Sequence, residues 1–585
     1  MMEYRVAPIM VPFNYSDVRL REGVFKDQFS KMVSYYLNIP NEDILKGFRE
    51  RIGIRASGKE LRGWYTGNAT WLLQFRGIKK PSNVFSTFGQ WLSAFARIYR
   101  VTNDITILNK LEYLLDEWGK TIEKDGYFFY GDDPNAPHYE FDKIVGGLVD
   151  AYEYVGKEQS IKYLVQIVEW AEKSLNRRRV PPTPDYSTGG GVQGRESADS
   201  EWYTLGENLY RAYLLTDDTA YYDFARVWHY TSYWANLAEK RDCMTGLHAY
   251  SHVNTLSSAA MAYDVNGDTC YLDAITNAYR TLQKSKVYAT GGYGPGERMS
   301  NQCGSQGNSL YLQENTFETP CGTWAAFKLS RYLIMFTGKA HYGDWTEKLL
   351  YNGIGATLPM GEKGKTYYYS DYRISGGEKK YYVDAWPCCS GTYPLAVTDY
   401  HNIIYFKDKD SLYVNIFVPS QVKWNKLGNI INVVQDTDFP RTGRVSLRIG
   451  TSGSIEFSLK FRIPSWVKNS VSVRVNNKSL SGNWKPGQWG EITRTWTEGD
   501  IAEIAFPLHL YFLPVDEYHP NLAALMYGPV VLVADRPGPL SGDMKDPSSW
   551  ILPVSSQPLV FHTKGQIDKR KFRPYFNYKE GESFQ

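Results

Sequence analysis

The chain has 585 residues, with 66 Lys and Arg against 63 Asp and Glu, and 43% of its residues are hydrophobic. This length exceeds what one compact core supports and predicts two to four domains. The charges are mixed along the chain, which excludes nucleic-acid binding through a basic block. No apolar run of about 18 residues occurs, which excludes a membrane-spanning helix.

Helical patterns dominate residues 26 to 360. Apolar residues recur at i, i+3, i+4 and i+7 in segments such as KLEYLLDEWGKTI, SIKYLVQIVEWAEKSL, GENLYRAYLL and TWAAFKLSRYLIMF. Roughly ten to twelve helices are expected, many of them apolar on more than one face, which suits packing in layers. That number favours a closed ring of helical hairpins, the (α/α)6 barrel, over a four-helix bundle. An open solenoid is the main alternative, although no internal repeat is visible.

The hydrophobic period changes to two after about residue 400. DSLYVNIFV, SIEFSLKFRIP, SVSVRVNN and LAALMYGPVVLVAD alternate apolar and polar residues, which predicts one or two antiparallel β-sandwiches. We assign residues 1–405 to the helical barrel and residues 406–585 to the β-sandwich region, which a strand from the N-terminus could complete. Residues 365–386, with TYYYSDY and KKYYVDAW, are predicted to form a hairpin near the barrel mouth.

Two short segments bring cysteine together with a carboxylate. In Glu318-Thr-Pro-Cys321, the proline suits the first turn of a helix, and the spacing puts Glu318 and Cys321 on one side. In WPCCSGT we predict a tight turn that presents Cys388 and Cys389 together. Three thiolates and one carboxylate are the ligand number of a tetrahedral Zn²⁺ site. Buried, chemically inert cysteines are the alternative, and it is the interpretation we favour for Cys243, Cys270 and Cys303.

A glycine-rich loop, TGGYGPGER, ends in Glu297 and Arg298. It lacks the lysine and the strand-to-helix context of a phosphate-binding loop. Its glycines would let the backbone direct Glu297 into a cavity, whereas a simply solvated glutamate is the alternative. The loop lies close to Glu318 in sequence, which favours a functional role. An aromatic fraction of 15%, with 46 Tyr and 17 Trp, also suits rings that stack on sugars, although large aromatic cores explain it equally well.

Several motifs together resemble glycoside hydrolase family 127, the β-L-arabinofuranosidases: GGYGPGE, FETPC, WPCC, GLVDAYEY, the His252-Val-Asn-Thr segment and the late MYGPVVL. The resemblance covers about residues 140 to 540. It implies an (α/α)6 catalytic barrel followed by β-sandwiches, and a retaining mechanism that uses a zinc-bound cysteine. Carried over to this sequence, it implies Glu297 as the general acid/base and Cys388 as the nucleophile. The implied zinc ligands are Glu318, Cys321, Cys388 and Cys389.

The sequence departs from the family pattern at three places. The family's cysteine follows the glutamate by two residues, whereas Cys321 follows Glu318 by three, and Pro320 takes the usual place. The residues after the cysteine pair are Ser390-Gly391-Thr392, which are closer to relatives of the family than to its type pattern. Asp142 stands where the family has a sugar-binding histidine, and the FSTFGQWLSA stretch likewise lacks an upstream histidine, while His252 is retained. We therefore expect substrate contacts from Asp142, His252 and Arg298. We also expect a modified sugar, such as the aceric acid of rhamnogalacturonan II, whose carboxylate Arg298 could pair with.

The leading prediction is a retaining glycoside hydrolase that releases a terminal furanosyl sugar, either modified or β-L-arabinofuranose, from pectic plant glycans. An (α/α)6 glycosidase that uses carboxylates only, with structural cysteines, is the second hypothesis. A glycan-binding protein without catalysis is the third. The start, MMEYRVAPIM, shows no signal peptide. We expect a periplasmic or secreted protein from which the signal has been removed, with the cytoplasm as the alternative.

Overall fold

Helices fill the first two thirds of the chain, and strands fill the last third. The computed structural model describes residues 3–65, 86–132, 134, 136–177, 190–192, 195–197, 201–301, 303–311, 316–361, 364–367, 369–382, 385–468, 470–565 and 569–585. Sixteen α-helices lie within these residues: α1 (Val24–Leu37), α2 (Asn41–Arg51), α3 (Phe88–Thr102), α4 (Ile105–Gly119), α5 (Pro137–Asp150), α6 (Glu158–Ser174), α7 (Gly206–Thr216), α8 (Thr219–Val227), α9 (Thr231–Ala238), α10 (Ala249–Asn266), α11 (Thr269–Ser285), α12 (Ser305–Leu310), α13 (Thr319–Thr337), α14 (Gly343–Lys348), α15 (Cys388–Thr398) and α16 (Tyr400–Ile403).

Six of these helices close into an inner ring. Each packs against the next in the order α3, α5, α7, α10, α13 and α15, and α15 returns to α3. A second helix covers each member from outside: α4, α6, α8, α11, α14 and α1, respectively. Inner helices such as α5 and α15 are buried along their whole length, as expected for helices that contact neighbours on several faces. The described residues thus form the (α/α)6 barrel that the sequence predicts, and none of their helices is long and apolar enough to cross a membrane.

Two sheets pack against the barrel as a β-sandwich. Their strands run in the orders β1-β9-β10-β14-β17 and β16-β15-β18-β13-β12-β11-β2. The ring of Trp424 in one sheet contacts the ring of Phe457 in the other, with centroids 5.7 Å apart. The strands are β1 (Val11–Pro12), β2 (Val18–Leu20), β9 (Tyr405–Lys407), β10 (Ser411–Val414), β11 (Ser420–Lys426), β12 (Asn429–Thr437), β13 (Arg444–Thr451), β14 (Ile455–Arg462), β15 (Ser472–Val475), β16 (Lys478–Ser479), β17 (Trp489–Trp496) and β18 (Ile501–Ala505).

A third sheet ends the chain, with the order β19-β20-β21-β24-β23-β22. Alternate residues of β21 serve two cores, because Val530 and Leu532 face a core of this sheet, whereas Val531 and Val533 pack with Ala356 of the helical domain. Its strands are β19 (Leu510–Pro514), β20 (Ala523–Tyr527), β21 (Val530–Ala534), β22 (Ile551–Pro553), β23 (Phe561–Thr563) and β24 (Lys571–Pro574).

The remaining strands form short ribbons, and their pairing differs from the predicted hairpin. The segment of residues 365–386 contributes β7 and β8, which pair with other segments: β7 with β6, and β8 with the C-terminal β25. One sandwich pair, β10 with β14, is parallel, although the other sandwich pairs are antiparallel as predicted. The ribbon strands are β3 (Leu175–Arg177), β4 (Gly190–Val192), β5 (Arg195–Ser197), β6 (Thr316–Glu318), β7 (Tyr369–Asp371), β8 (Gly377–Glu378) and β25 (Ser583–Phe584).

Candidate active site

The starts of four inner helices meet at one end of the barrel. Glu318 directly precedes α13, and Cys388 is the first residue of α15. His248 directly precedes α10, and Glu201 lies a few residues ahead of α7. Helix N-termini carry a partial positive charge, so they favour carboxylates and thiolates at this position. The arrangement of the barrel therefore collects acidic groups at its mouth.

Glu318, Cys321, Cys388 and Cys389 form a compact, buried group whose four ligand atoms lie within 4.8 Å of one another. The Cys389 and Cys321 sulfurs are 3.3 Å apart, and the Cys321 and Cys388 sulfurs are 3.6 Å apart. The Cys388 thiol donates to Glu318 Oε1 at 2.9 Å. Tetrahedral Zn²⁺ with Zn–S bonds of about 2.3 Å places its sulfur ligands roughly 3.8 Å apart. The donor types and the spacing of the group therefore fit Zn²⁺.

Local structure explains how the two segments meet. Pro320 occupies the first turn of α13, where its missing N–H costs no hydrogen bond, and the helix turns Cys321 toward α15. The predicted tight turn at Cys388-Cys389 is wrong, because both residues belong to the first turn of α15. Trp386 before them has a left-handed backbone with φ of 52°. The three-residue spacing from Glu318 to Cys321 thus still brings Cys321 to the other sulfurs.

Burial dominates the electrostatics of this group. It raises the pKa of the Cys321, Cys388 and Cys389 thiols well above the ordinary range. Burial and the nearby charge of Glu297 also raise the pKa of Glu318 to about 7. Four buried groups that become anionic on ionisation need a cation, and the basic side chain that pairs with them among the described residues is His248, with Nε2 3.7 Å from Glu318 Oε2. This deficit of positive charge is a second observation that fits a metal ion.

Glu297 comes from the glycine-rich loop and lies beside His248, with Oε2 3.7 Å from Nε2. Its own backbone is left-handed, with φ of 64°, and Gly294 in the loop leaves no room for a side chain, because a Cβ there would lie 2.1 Å from that of Ala249. Backbone pairing between His248 and Arg298 fastens the loop to the start of α10. The Glu297 side chain is 28% exposed, so it faces both the site and solvent.

His248 connects three carboxylates, and sequence reasoning missed it. Its Nε2 lies 3.7 Å from Glu297 Oε2 and 3.7 Å from Glu318 Oε2, and its Nδ1 lies 3.6 Å from Glu201 Oε1. Burial alone would lower the pKa of His248, but its interaction with Glu297 and the charges of Glu318 and Glu201 raise it to about 9. His248 therefore lies between the acid/base candidate, a ligand candidate and a third carboxylate.

Glu201 was also missed. Its backbone is left-handed, with φ of 51°, a conformation that costs a non-glycine residue energy and clusters at functional sites. One sequence signal was available for both residues. Each stands shortly before a segment with a strong helical period, the position from which an inner barrel helix presents side chains at the mouth.

Asp142 is buried between α5 and α7, with its side chain 2% exposed. Its carboxylate pairs with the Lys143 ammonium at 2.7 Å and accepts from the Asn208 amide at 2.9 Å and from the Thr204 hydroxyl at 3.3 Å. These three partners occupy most of the roughly four acceptor positions of the carboxylate within the protein. A substrate contact of Asp142 stays a prediction, and the described contacts do not add to it.

His252 lies one turn below His248 on α10 and is fully buried. Its ring packs on Tyr203 with centroids 4.5 Å apart, and burial lowers its pKa to about 3. The residue that contacts the carboxylates is therefore His248, whereas His252 supports it from beneath. Arg298 is exposed at the rim. The substrate contacts of His252 and Arg298 stay predictions.

The three remaining cysteines lie elsewhere. Cys243 is partly buried, whereas Cys270 and Cys303 are exposed, so the prediction that all three are buried is wrong. The prediction fails for Cys270 because this residue lies in the first turn of α11, on the outer ring, where one helix face is exposed to solvent.

Comparison with known proteins places the chain in a family. The family description "Beta-L-arabinofuranosidase, GH127 catalytic domain" matches residues 17–402, and the GH127 middle domain matches residues 411–508. A non-reducing end β-L-arabinofuranosidase of Bifidobacterium longum is 23% identical over 306 residues, which are 47% of this chain and 44% of that protein. The chain thus spans less than half the length of this curated relative.

Solved structures show the same fold. A GH127 β-arabinofuranosidase superposes with a TM-score of 0.72 at 17% identity, covering 99% of this chain and 97% of the other. The GH127 β-L-arabinofuranosidase of Geobacillus stearothermophilus T6 gives a TM-score of 0.70 at 17% identity, covering 97% and 99%. Because the catalytic-domain description alone matches well over half of the residues, the chain belongs to glycoside hydrolase family 127.

Proposed function

We propose that this protein is a retaining glycosidase that removes a terminal β-L-arabinofuranosyl residue, with Cys388 as the nucleophile and Glu297 as the acid/base. One observation carries the proposal: a buried group of three thiols and one carboxylate lies beside Glu297, with His248 between them. A purely structural cysteine cluster would not need a strained glutamate at its edge. The family membership supports the same activity.

The first step breaks the glycosidic bond. The Cys388 thiolate attacks the anomeric carbon, the C–O bond to the leaving group breaks, and the Glu297 carboxyl gives its proton to the departing oxygen. The C–S bond inverts the anomeric centre once. Glu297 is partly exposed, so it can reach an aglycone that points to solvent.

The second step reverses these roles. Glu297, now a carboxylate, takes a proton from water. The water oxygen attacks the anomeric carbon from the side that the leaving group occupied, opposite the C–S bond. The C–S bond breaks, and the thiolate leaves. Two inversions give net retention of configuration.

The protein must hold the Cys388 sulfur as a thiolate, although burial raises the pKa of that thiol. The N-terminus of α15 favours the anion. A Zn²⁺ ion held by Glu318, Cys321, Cys388 and Cys389 would supply the positive charge that keeps the sulfur ionised and makes it a good leaving group.

The charges at the mouth favour a neutral sugar over aceric acid. Glu201, Glu297 and Glu318 surround His248, and a substrate carboxylate among them would be repelled. Arg298 at the exposed rim is the observation that supports the acidic sugar of rhamnogalacturonan II as a second candidate. A pectic source of the substrate and a periplasmic or secreted location stay predictions.

The test combines turnover, stereochemistry and metal content of the full-length protein. We expect kcat/KM of about 10⁴ M⁻¹s⁻¹ or more on an aryl β-L-arabinofuranoside, the retained anomer first in time-resolved NMR, and close to one zinc per chain. Cys388→Ser should abolish turnover, because a hydroxyl with a much higher pKa does not form the required anion.

Each alternative gives a different result. First appearance of the inverted anomer rules out Cys388 as the nucleophile. Full activity in metal-free protein supports a glycosidase that uses carboxylates only, and sugar binding without turnover supports a glycan-binding protein. Faster cleavage of rhamnogalacturonan II side-chain oligosaccharides than of the arabinofuranoside favours the acidic sugar.

A further inference from the structure

Two buried polar groups next to the cysteine cluster lack a partner within the described residues. These groups are the Gln90 Nε2 amide and the Tyr250 hydroxyl, and their side chains belong to residues only 1% and 2% exposed. A buried donor without a hydrogen bond is costly, so proteins rarely leave one unless water or a ligand completes it.

Gln90 lies against the helix that begins with the two cysteines. On α3, it packs on Gly391 so closely that a Cβ at position 391 would lie 2.0 Å from Gln90 Oε1. That same oxygen accepts from the Tyr139 hydroxyl at 3.4 Å. The protein therefore engages the carbonyl end of the amide and leaves its NH₂ end for another acceptor.

Tyr250 lies on α10, two residues after His248. The rings of Tyr139 and Tyr250 both face the Lys143 ammonium, with centroids 4.8 and 5.8 Å from Nζ. Gln90 thus lies against the helix that begins with Cys388, and the Tyr250 ring lies 6.4 Å, centroid to centroid, from the ring of His248.

The charges around Gln90 and Tyr250 indicate which ligand these two residues bind. Lys143 is the cation between the rings, but its pairing with Asp142 at 2.7 Å neutralises it. The groups left over are a neutral amide donor and a phenol that donates or accepts. Such groups complement the hydroxyl groups of a neutral sugar rather than a carboxylate.

We propose that Gln90 and Tyr250 are specificity-determining residues that bind ring hydroxyl groups of the terminal sugar held beside Cys388. The inference rests on the proposed function and deepens it, because it assigns recognition of a neutral, hydroxyl-bearing furanose to two residues outside the family motifs. Gln90 supplies a donor, and Tyr250 supplies a donor or an acceptor, to two different hydroxyl groups.

The test pairs each variant with substrates that lack one hydroxyl. Gln90→Met and Tyr250→Phe keep the side-chain size and remove the hydrogen bond. On the aryl β-L-arabinofuranoside, each should lower kcat/KM about 10- to 100-fold, the range for one lost hydrogen bond in a buried site. On the deoxy substrate that lacks its partner hydroxyl, each variant should equal the wild type within about twofold. Tyr221→Phe is the matched control, because this hydroxyl on the outer helix α8 is also buried without a partner in the described chain.

The outcomes separate this inference from the proposed function. Unchanged kcat/KM in both variants, or the same loss on every deoxy substrate, overturns the inference while the glycosidase activity stands. If the wild type cleaves no furanoside, calorimetric binding of free L-arabinose decides: weaker binding by the two variants than by Tyr221→Phe supports the inference, and equal binding, or no binding by the wild type, overturns it.

Discussion

Two clusters of buried charge in this protein are built on opposite principles. At the junction of the barrel and the sandwich, Arg462 is fully buried and forms ion pairs with Asp344 at 2.5 Å and Glu347 at 2.6 Å. Trp466 donates to the second Glu347 oxygen at 2.9 Å, and Arg462 Nε donates to the Asn415 carbonyl at 2.7 Å. Each charged side chain of this cluster, Arg462, Asp344 and Glu347, has a partner of opposite charge.

The barrel mouth is unbalanced in comparison. His248 faces three carboxylates, and three thiols lie within the same group. The junction uses charge to fix the relative position of two domains, whereas the mouth keeps groups whose protonation a substrate or a metal ion can change. Active sites are expected where buried charged groups lack full pairing within the protein. At the barrel mouth, Glu201 and Glu297 also have left-handed backbone conformations, which cluster at functional sites.

After the complete loss expected for Cys388→Ser, the largest effect is expected from Glu297→Gln. Losing the acid/base should lower kcat about 10²- to 10⁴-fold on substrates with poor leaving groups. An aryl leaving group needs no proton, so it should restore the first step in this variant and not in Cys388→Ser. Burst kinetics with both substrate classes measure the two steps, and equal small losses on both would assign Glu297 to binding alone.

A smaller effect on activity and a large one on stability are expected from Arg462→Ala. Removing one partner of a buried pair leaves two carboxylates without a cation and should cost about 3–5 kcal/mol in the free energy of unfolding. Chemical denaturation measures it, with Arg448→Ala as the control, since the exposed Arg448–Asp436 pair is worth less than about 1 kcal/mol. If Arg448→Ala lowers the free energy of unfolding as much as Arg462→Ala does, the buried ion pairs at the junction do not stabilise the protein more than an exposed pair.

Much of the fold could be predicted because its signals are local. The 3.6-residue period in segments such as GENLYRAYLL predicts helices, and the alternation in DSLYVNIFV predicts strands. The hairpin at residues 365–386 failed because β7 and β8 find their partners in β6 and β25, which no local pattern reveals. Pairing between distant segments is set by tertiary packing, not by the residues of one strand.

The site divides in the same way. Glu297, Glu318, Cys321, Cys388 and Cys389 stand in two short motifs and a loop, so the residue types and the family resemblance were enough to find them. His248 and Glu201 belong to no motif and reach the site only because inner helices begin at one end of the barrel. Asp142 was assigned to the sugar by its place in sequence, but its contacts with Lys143 and Asn208 depend on packing of α5 on α7.

Another buried carboxylate, that of Glu140, belongs to neither cluster, and the smallest effect on stability is expected from replacing it. Glu140, on α5, is 1% exposed and forms no ion pair among the described residues, and burial raises its pKa to about 8. The folded protein therefore keeps this carboxyl protonated up to about pH 8, whereas the unfolded chain ionises it near its ordinary value of 4.5.

The contribution of Glu140 to the free energy of unfolding is full below pH 4.5 and is lost as the pH rises toward 8. Glu140→Gln cannot ionise, so it should stabilise the protein by about 2 kcal/mol at pH 8, less than the full shift implies because the surroundings relax, and by almost nothing at pH 4.5. Unfolding midpoints of both proteins across this range test it, with exposed Glu456→Gln as the control, and a difference that does not grow with pH would show that Glu140 is ionised in the folded state.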